Sequence, residues 1–183
     1  LVFVRVIVSL EEKNSMHLLR AEVPGPEKDK LVPKARESAK ILYSMYFGLT
    51  ALQVILLLFG GMNLYDSVIH AFSTAGTGGF SNRASSIAYY DSAYIDGVIT
   101  VFMVLFGINF NMYYLILLKK FKAVWKNEEV RAYFGVIAAA TIAITFNILH
   151  IYETPLKSFR YAVFQVTSII TTTGMATADY NLW

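Results

Sequence analysis

The sequence predicts an all-α membrane protein built from helix–loop–helix repeats in which a short loop re-enters the bilayer. Three observations lead there. Uncharged runs reach membrane length, two Gly/Thr-rich loops recur between them at a constant offset, and the positive charge collects in segments that share one side. Composition agrees. Of 183 residues, 56% are hydrophobic and 16% charged, with a mean hydropathy of +0.49. A soluble domain carries about 25% charged and roughly 45–50% apolar residues. The absence of cysteine excludes a disulfide framework, a thiolate nucleophile and a Cys-based metal site. A net charge of +3 is small for a nucleic-acid binder, and no nucleic-acid partner is expected.

Residues 1–10 form an apolar run holding Arg5. It is shorter than the ~20 residues a span needs and lacks the features of a signal peptide, so it reads as the stub of a preceding membrane helix. Residues 11–40 are polar and contain Pro24, Gly25, Pro26 and Pro33. They read as a cytoplasmic linker with a short helix from Pro33 towards Lys40. The uncharged run from Ile41 to Tyr65 is the first predicted span, with Gly60 and Gly61 marking its end. The segment from Asp66 to Ala75 is too short to cross. As a helix it reaches about 15 Å, half of a roughly 30 Å hydrocarbon core, and Asp66 suits its positive N-terminal end. The loop Gly76 to Ser81 follows, then a polar stretch to Asp96.

Gly97 to Leu118 is the second uncharged run, closed by Lys119, Lys120, Lys122 and Lys126. Residues 119–131 read as a basic cytoplasmic turn. Ala132 to Tyr152 is the third predicted span, and the apolar segment Tyr161 to Ile170 delivers the second loop. The organisation is therefore one repeat over 41–118 and an incomplete one over 132–183. Placing 1–40 and 119–131 on one side gathers thirteen of the sixteen Lys and Arg residues. That bias makes those segments cytoplasmic and turns both loops outwards.

The two loops align at an offset of 95: Ser73 with Ser168, Thr77 with Thr172 and Gly79 with Gly174. Bare backbone at membrane depth is tolerated where it lines a polar cavity. A dehydrated cation needs oxygen ligands, which backbone carbonyls supply without the deep trap of a carboxylate. Glycine lets successive carbonyls aim at one axis, threonine adds a hydroxyl acceptor, and a helix ending at the loop turns its negative end towards the ion. An ordinary turn explains one such loop better than two. A phosphate loop ends in Gly-Lys-Ser/Thr after a strand, whereas Phe80-Ser81-Asn82 stands here.

Four stretches now carry a family resemblance: Arg20 to Pro26, the Thr-Gly-Gly-Phe-Ser loop from Thr77, Gly107-Ile108-Asn109-Phe110, and Thr171-Thr172-Thr173-Gly174 with Ala178-Asp179-Tyr180. From about Arg20 onward the chain resembles the Trk/Ktr/HKT superfamily of potassium transporters, most closely the bacterial Trk-type membrane subunit. The resemblance implies four helix–pore-loop–helix repeats of the potassium-channel-like type around one pore, with Gly79 and Gly174 as the second and third filter glycines. It implies a filter that includes Thr77, Gly78, Gly79 and Phe80, and Thr172, Thr173, Gly174 and Met175. The carbonyls of Thr77, Gly78, Gly79, Thr172, Thr173 and Gly174 are its expected K⁺ ligands. It further implies potassium uptake across the cell (inner) membrane by a multi-pass protein, with K⁺ as transported ion and no cofactor. A homodimer with one pore per protomer and a cytoplasmic nucleotide-binding regulatory subunit are the implied partners, beside the lipid bilayer. The first and fourth repeats and the third repeat's inner helix, with its gating loop, are expected outside these residues, which alone should not conduct.

The remaining chemistry is sparse. His17, His70 and His150 are not at metal-ligand spacing and read as structural or surface residues. Asp179 is open between attracting cations at a pore mouth and acting as a solvated or capping carboxylate. Asn109 reads as a partner of a neighbouring helix, Met103 and Met112 as packing, and Tyr89, Tyr90, Tyr94, Tyr152, Tyr161 and Trp183 as an interfacial belt. No catalytic constellation stands out, and no enzyme is expected. A two-pore cation channel subunit, in which two chains supply four loops, and a non-transporting membrane scaffold remain as alternatives.

Overall fold

The computed structural model describes residues 35–117, 119–152, 154–180 and 183, and the expected stub and most of the linker lie outside them. The chain divides into two compact units, Leu1–Ser44 and Met45–Trp183. Every regular element among the described residues is helical. Helix α1, Ala35–Phe59, carries no charge after Lys40. It stops where Gly61 turns left-handed at φ +88°, letting Met62 N–H reach the Leu57 carbonyl at 3.2 Å. Of the helix expected from Pro33 towards Lys40, the described part from Ala35 is the start of α1, and the first span ends six residues before Tyr65.

Helix α2, Leu64–Ala75, starts at Asn63, whose side chain accepts from Asp66 N–H at 2.7 Å. A 3-10 turn, Ser86–Tyr90, leads to α3, Ala93–Gly107, whose cap is Ser92. Here the structure corrects the sequence reading. The uncharged run from Gly97 to Leu118 is not one helix: it breaks at Ile108-Asn109, and α4, Phe110–Leu117, begins anew. A broken helix in lipid must find partners for its freed carbonyls. Two tyrosines supply them, since Tyr133 donates to the Val104 carbonyl at 3.3 Å and Tyr113 donates to that of Leu105. At about 1.5 Å per residue, α3 reaches roughly 22 Å, short of the hydrocarbon core.

Helix α5, Phe121–Lys126, lies in the basic turn. Helix α6, Glu128–Ile148, is capped by the Asn127 side chain, which accepts from Glu129 and Val130 N–H. Helix α7, Pro155–Ile170, has proline in its first turn, where no amide hydrogen is missed. It is 16 residues long and starts six residues before the apolar segment from Tyr161.

Lys40–Phe59 and Glu128–Ile148 are long and apolar enough to cross a membrane. Their outward faces are apolar, with Phe47, Phe59, Val136 and Phe146 exposed, while Gln53 and Thr141 turn inward and are buried. That inverts a soluble protein's pattern and suits a lipid solvent. Helix α7 packs on α6 and α3, and α2 packs on α3. The core between them joins Leu57, Ile87, Ile99, Met103, Phe164 and Met175.

Candidate functional site

The two loops leave their helices by the same hydrogen bonds. After α2, the amides of Gly76, Thr77 and Gly78 donate to the carbonyls of Phe72, Thr74 and Ser73 at 2.8, 3.2 and 2.8 Å. After α7, Thr171, Thr172 and Thr173 donate to Thr167, Ile169 and Ser168 at 2.9, 3.0 and 2.9 Å. Each partner is its counterpart at the 95-residue offset. The backbone then alternates in hand. Thr77 (φ +48°) and Gly79 (φ +66°) are left-handed, as are Thr172 (φ +55°) and Gly174 (φ +81°), whereas Gly78 and Thr173 are not. A left-handed threonine is a strained β-branched outlier, of the kind that persists where surrounding structure holds a functional site in place.

This ladder occupies the carbonyls of the helix ends, not those of the loops. Among the described residues, no hydrogen bond is made to the carbonyls of Thr77, Gly78, Gly79, Thr172, Thr173 or Gly174. Side chains are tied down behind the second loop. Thr171 hydroxyl donates to the Thr167 carbonyl at 2.7 Å and so accepts from Thr173, also at 2.7 Å. Ser168 hydroxyl donates to the Met175 carbonyl at 2.7 Å.

The loops also meet. A Cβ added at Gly79 would lie 2.5 Å from the Thr173 carbonyl oxygen and 3.1 Å from the Gly174 carbonyl. Met175 is buried, its sulfur 3.8 Å from the Thr74 hydroxyl, while its counterpart Phe80 is exposed. Tyr46 on α1 donates to the Ala75 carbonyl at the end of α2. Thus Gly79 is brought against Thr173 and Gly174, and Phe80 and Met175 face different surroundings.

Sequence reasoning missed the group beneath the first loop. The Asp66 carboxylate is 1% exposed and accepts from Asn82, from Arg83 Nε and Nη2 at 3.2 and 2.8 Å, and from Tyr90 hydroxyl. A charge so buried is tolerable only with such partners. Burial first, and then the bond to Asp66, push the Tyr90 phenol up to about 12. The hydrogen bond to Asp66 raises the Arg83 guanidinium above its usual range. His70, read from sequence as structural or surface, is fully buried between Asp66 and Ser81. His150 and Asp179 are exposed, Asn109 sits at the helix break, and Met103 and Met112 are buried. Among the described residues, no three His, Cys, Asp or Glu side chains gather to hold a metal.

Membrane-length helices, half-helices and re-entrant loops define a helical membrane protein of pore-loop repeats. Within that class, the family model described as TrkH, cation transport protein, matches residues 1–183, and the chain belongs to this family. It is similar to the Trk system potassium uptake protein TrkH of Escherichia coli (strain K12), with 36% identity over 174 residues, 92% of this chain and 36% of that protein. It is also similar to the Trk system potassium uptake protein TrkI of Halomonas elongata, with 30% identity over 156 residues, 85% of this chain and 32% of that protein. Among solved structures, the crystal structure of the potassium transporter TrkH from Vibrio parahaemolyticus superposes with a TM-score of 0.79 at 29% identity. That match covers 92% of this chain and 36% of the other. The chain spans about a third of the length of the curated relatives it matches.

Proposed function

We propose that this chain supplies two of the loops that line the ion path of a Trk-type potassium-uptake subunit. The observation that carries the reading is the pair of loops with one backbone conformation, meeting at Gly79 and Gly174, their carbonyls accepting no hydrogen bond among the described residues. Six carbonyls turned from hydrogen bonding replace part of the hydration shell of K⁺. The ends of α2 and α7 add the negative ends of two helix dipoles. Neutral oxygens bind the ion weakly enough for it to leave, and the membrane potential drives it inwards.

The same reading places the subunit in the cell's inner membrane as a multi-pass homodimer, one pore per protomer, with a cytoplasmic nucleotide-binding regulatory subunit. The names of the relatives and the cytoplasmic side assigned to the Lys119–Lys126 turn support the membrane placement, the dimer and the regulatory subunit rest on the family resemblance alone, and no cofactor or catalytic step is required. The test is ⁸⁶Rb⁺ uptake into liposomes holding the complete protein at the length of its relatives. Uptake that K⁺ outcompetes and Na⁺ does not supports a selective path. Absence of flux from correctly folded protein favours the scaffold alternative.

A further inference from the structure

The ends of the two loops are held unequally. Ser81 and Ala176 occupy equivalent positions, each one residue beyond the predicted filter segment. Ser81 is held from α2. The Asp66 carbonyl can only accept, so His70 Nδ1, 2.7 Å away, carries the proton. Nε2 of the neutral ring then accepts from Ser81 hydroxyl at 2.9 Å, and that oxygen accepts from Arg83 N–H at 3.0 Å. Asn82 and Arg83, the next two residues, close on the Asp66 carboxylate.

The positions of the second repeat equivalent to Asp66 and His70 hold neither residue. Tyr161 stands where Asp66 would be, and Gln165 where His70 would be. Ala176 is held instead by the first repeat. Its amide donates to Ser86 hydroxyl at 3.3 Å, and its carbonyl accepts from Ile87 and Ala88 N–H at 3.0 and 3.2 Å. Segment 81–90 thus begins at the held residue of the first loop and grips the equivalent residue of the second. At the far end of this segment Tyr90 returns to the same Asp66 carboxylate.

We propose that Asp66 is a positioning residue for ion selectivity, tethering segment 81–90 at both ends so that one strap sets the outer ends of both loops. This rests on the function proposed above. A carbonyl site discriminates between ions only while its oxygens keep their spacing and number, and the strap is what holds them for two repeats at once. The Asp66 carboxylate acts through Asn82, Arg83 and Tyr90, whereas His70 bonds the main-chain carbonyl, which Asp66→Asn keeps.

The test is the K⁺/Na⁺ permeability ratio of the complete protein in liposomes for wild type, Asp66→Asn, Tyr90→Phe and Ser86→Ala, alongside size-exclusion and thermal-melt checks of folding. The expected result for Asp66→Asn is a ratio about tenfold lower in folded protein, each factor of ten being about 1.4 kcal/mol of lost discrimination. Tyr90→Phe and Ser86→Ala are expected to give smaller falls. The Tyr90→Phe, Ser86→Ala double variant falls short of the product of the two, because both release the same strap. If Asp66→Asn does not fold, the milder pair decides. Wild-type ratios in the folded variants, or fewer folded molecules at an unchanged ratio, overturn the tether while leaving the transport reading standing. Wild-type protein that moves no K⁺ overturns the transport reading and the tether's role with it.

Discussion

Gly79 and Gly174 are in contact: a Cβ built on Gly174 would meet the Gly79 Cα at 3.9 Å. The relationship is not symmetric, because a Cβ on Gly79 would drive to 2.5 Å from the Thr173 carbonyl oxygen. Both glycines are left-handed, so any side chain costs about 1–2 kcal/mol at either position. Only at Gly79 is steric overlap added. Gly79→Ser is therefore expected to lower K⁺ selectivity over Na⁺ more than Gly174→Ser, read as permeability ratios in liposomes. Equal ratios in both variants and wild type remove these positions from the ion path.

The broken span gives a second expectation. At Gly107 a Cβ would lie 2.5 Å from the Tyr133 hydroxyl and 2.7 Å from Thr171 Cγ2. Overpacking of this kind costs about 1–3 kcal/mol. Gly107→Ala is expected to lower the thermal midpoint of the detergent-solubilised protein. Adding Tyr133→Phe removes one of the two overlaps but leaves the Val104 carbonyl without its donor. A recovery that is absent or only partial is expected. Full recovery would show that the carbonyl needs no partner.

Tyr90 sets an alkaline limit. Its phenol is held at about 12 against an ordinary 10.0, so the folded protein favours the protonated form. Its contribution is complete below pH 10 and is lost as pH rises through about 12. The stability difference between wild type and Tyr90→Phe should stay constant from neutral pH to about 10 and shrink above it, followed by chemical denaturation at each pH. A difference that already shrinks between about pH 7 and 9, where neither the phenol nor the Asp66 carboxylate it bonds changes charge, would contradict the assignment.

Asn127 provides a control away from the loops. Its side chain accepts from Glu129 and Val130 N–H at 2.8 and 3.3 Å. Asn127→Ala is expected to cost about 1 kcal/mol, as for other lost caps, and to leave the permeability ratio at its wild-type value. A changed ratio would mean that the start of α6 communicates with the loops.

The all-helical membrane class was legible because uncharged length and charge bias are one-dimensional signals. The recurrence of the loops was legible for the same reason, as a match at fixed offset. The break at Ile108-Asn109 was not, since an uncharged run of sufficient length reads alike whether one helix or two occupy it. The freed carbonyls are taken by tyrosines further along the chain, Tyr113 eight residues on and Tyr133 29 residues on. Asp66 was visible only as an anion at a helix start, because Asn82, Arg83 and Tyr90 reach it from 16, 17 and 24 residues away. The contact between Gly79 and Gly174 likewise requires the fold, as does the unequal support of Ser81 and Ala176.

The central claim is that main-chain oxygens of the two loops hold a dehydrated alkali ion between them. Anomalous diffraction from crystals of the complete protein grown in Rb⁺ tests it most directly. The expected result is a Rb⁺ peak bounded by the carbonyls of Thr77, Gly78 and Gly79 and of Thr172, Thr173 and Gly174, which Na⁺ does not displace. A map with no peak beside these carbonyls, or with the ion held by side chains elsewhere, contradicts it.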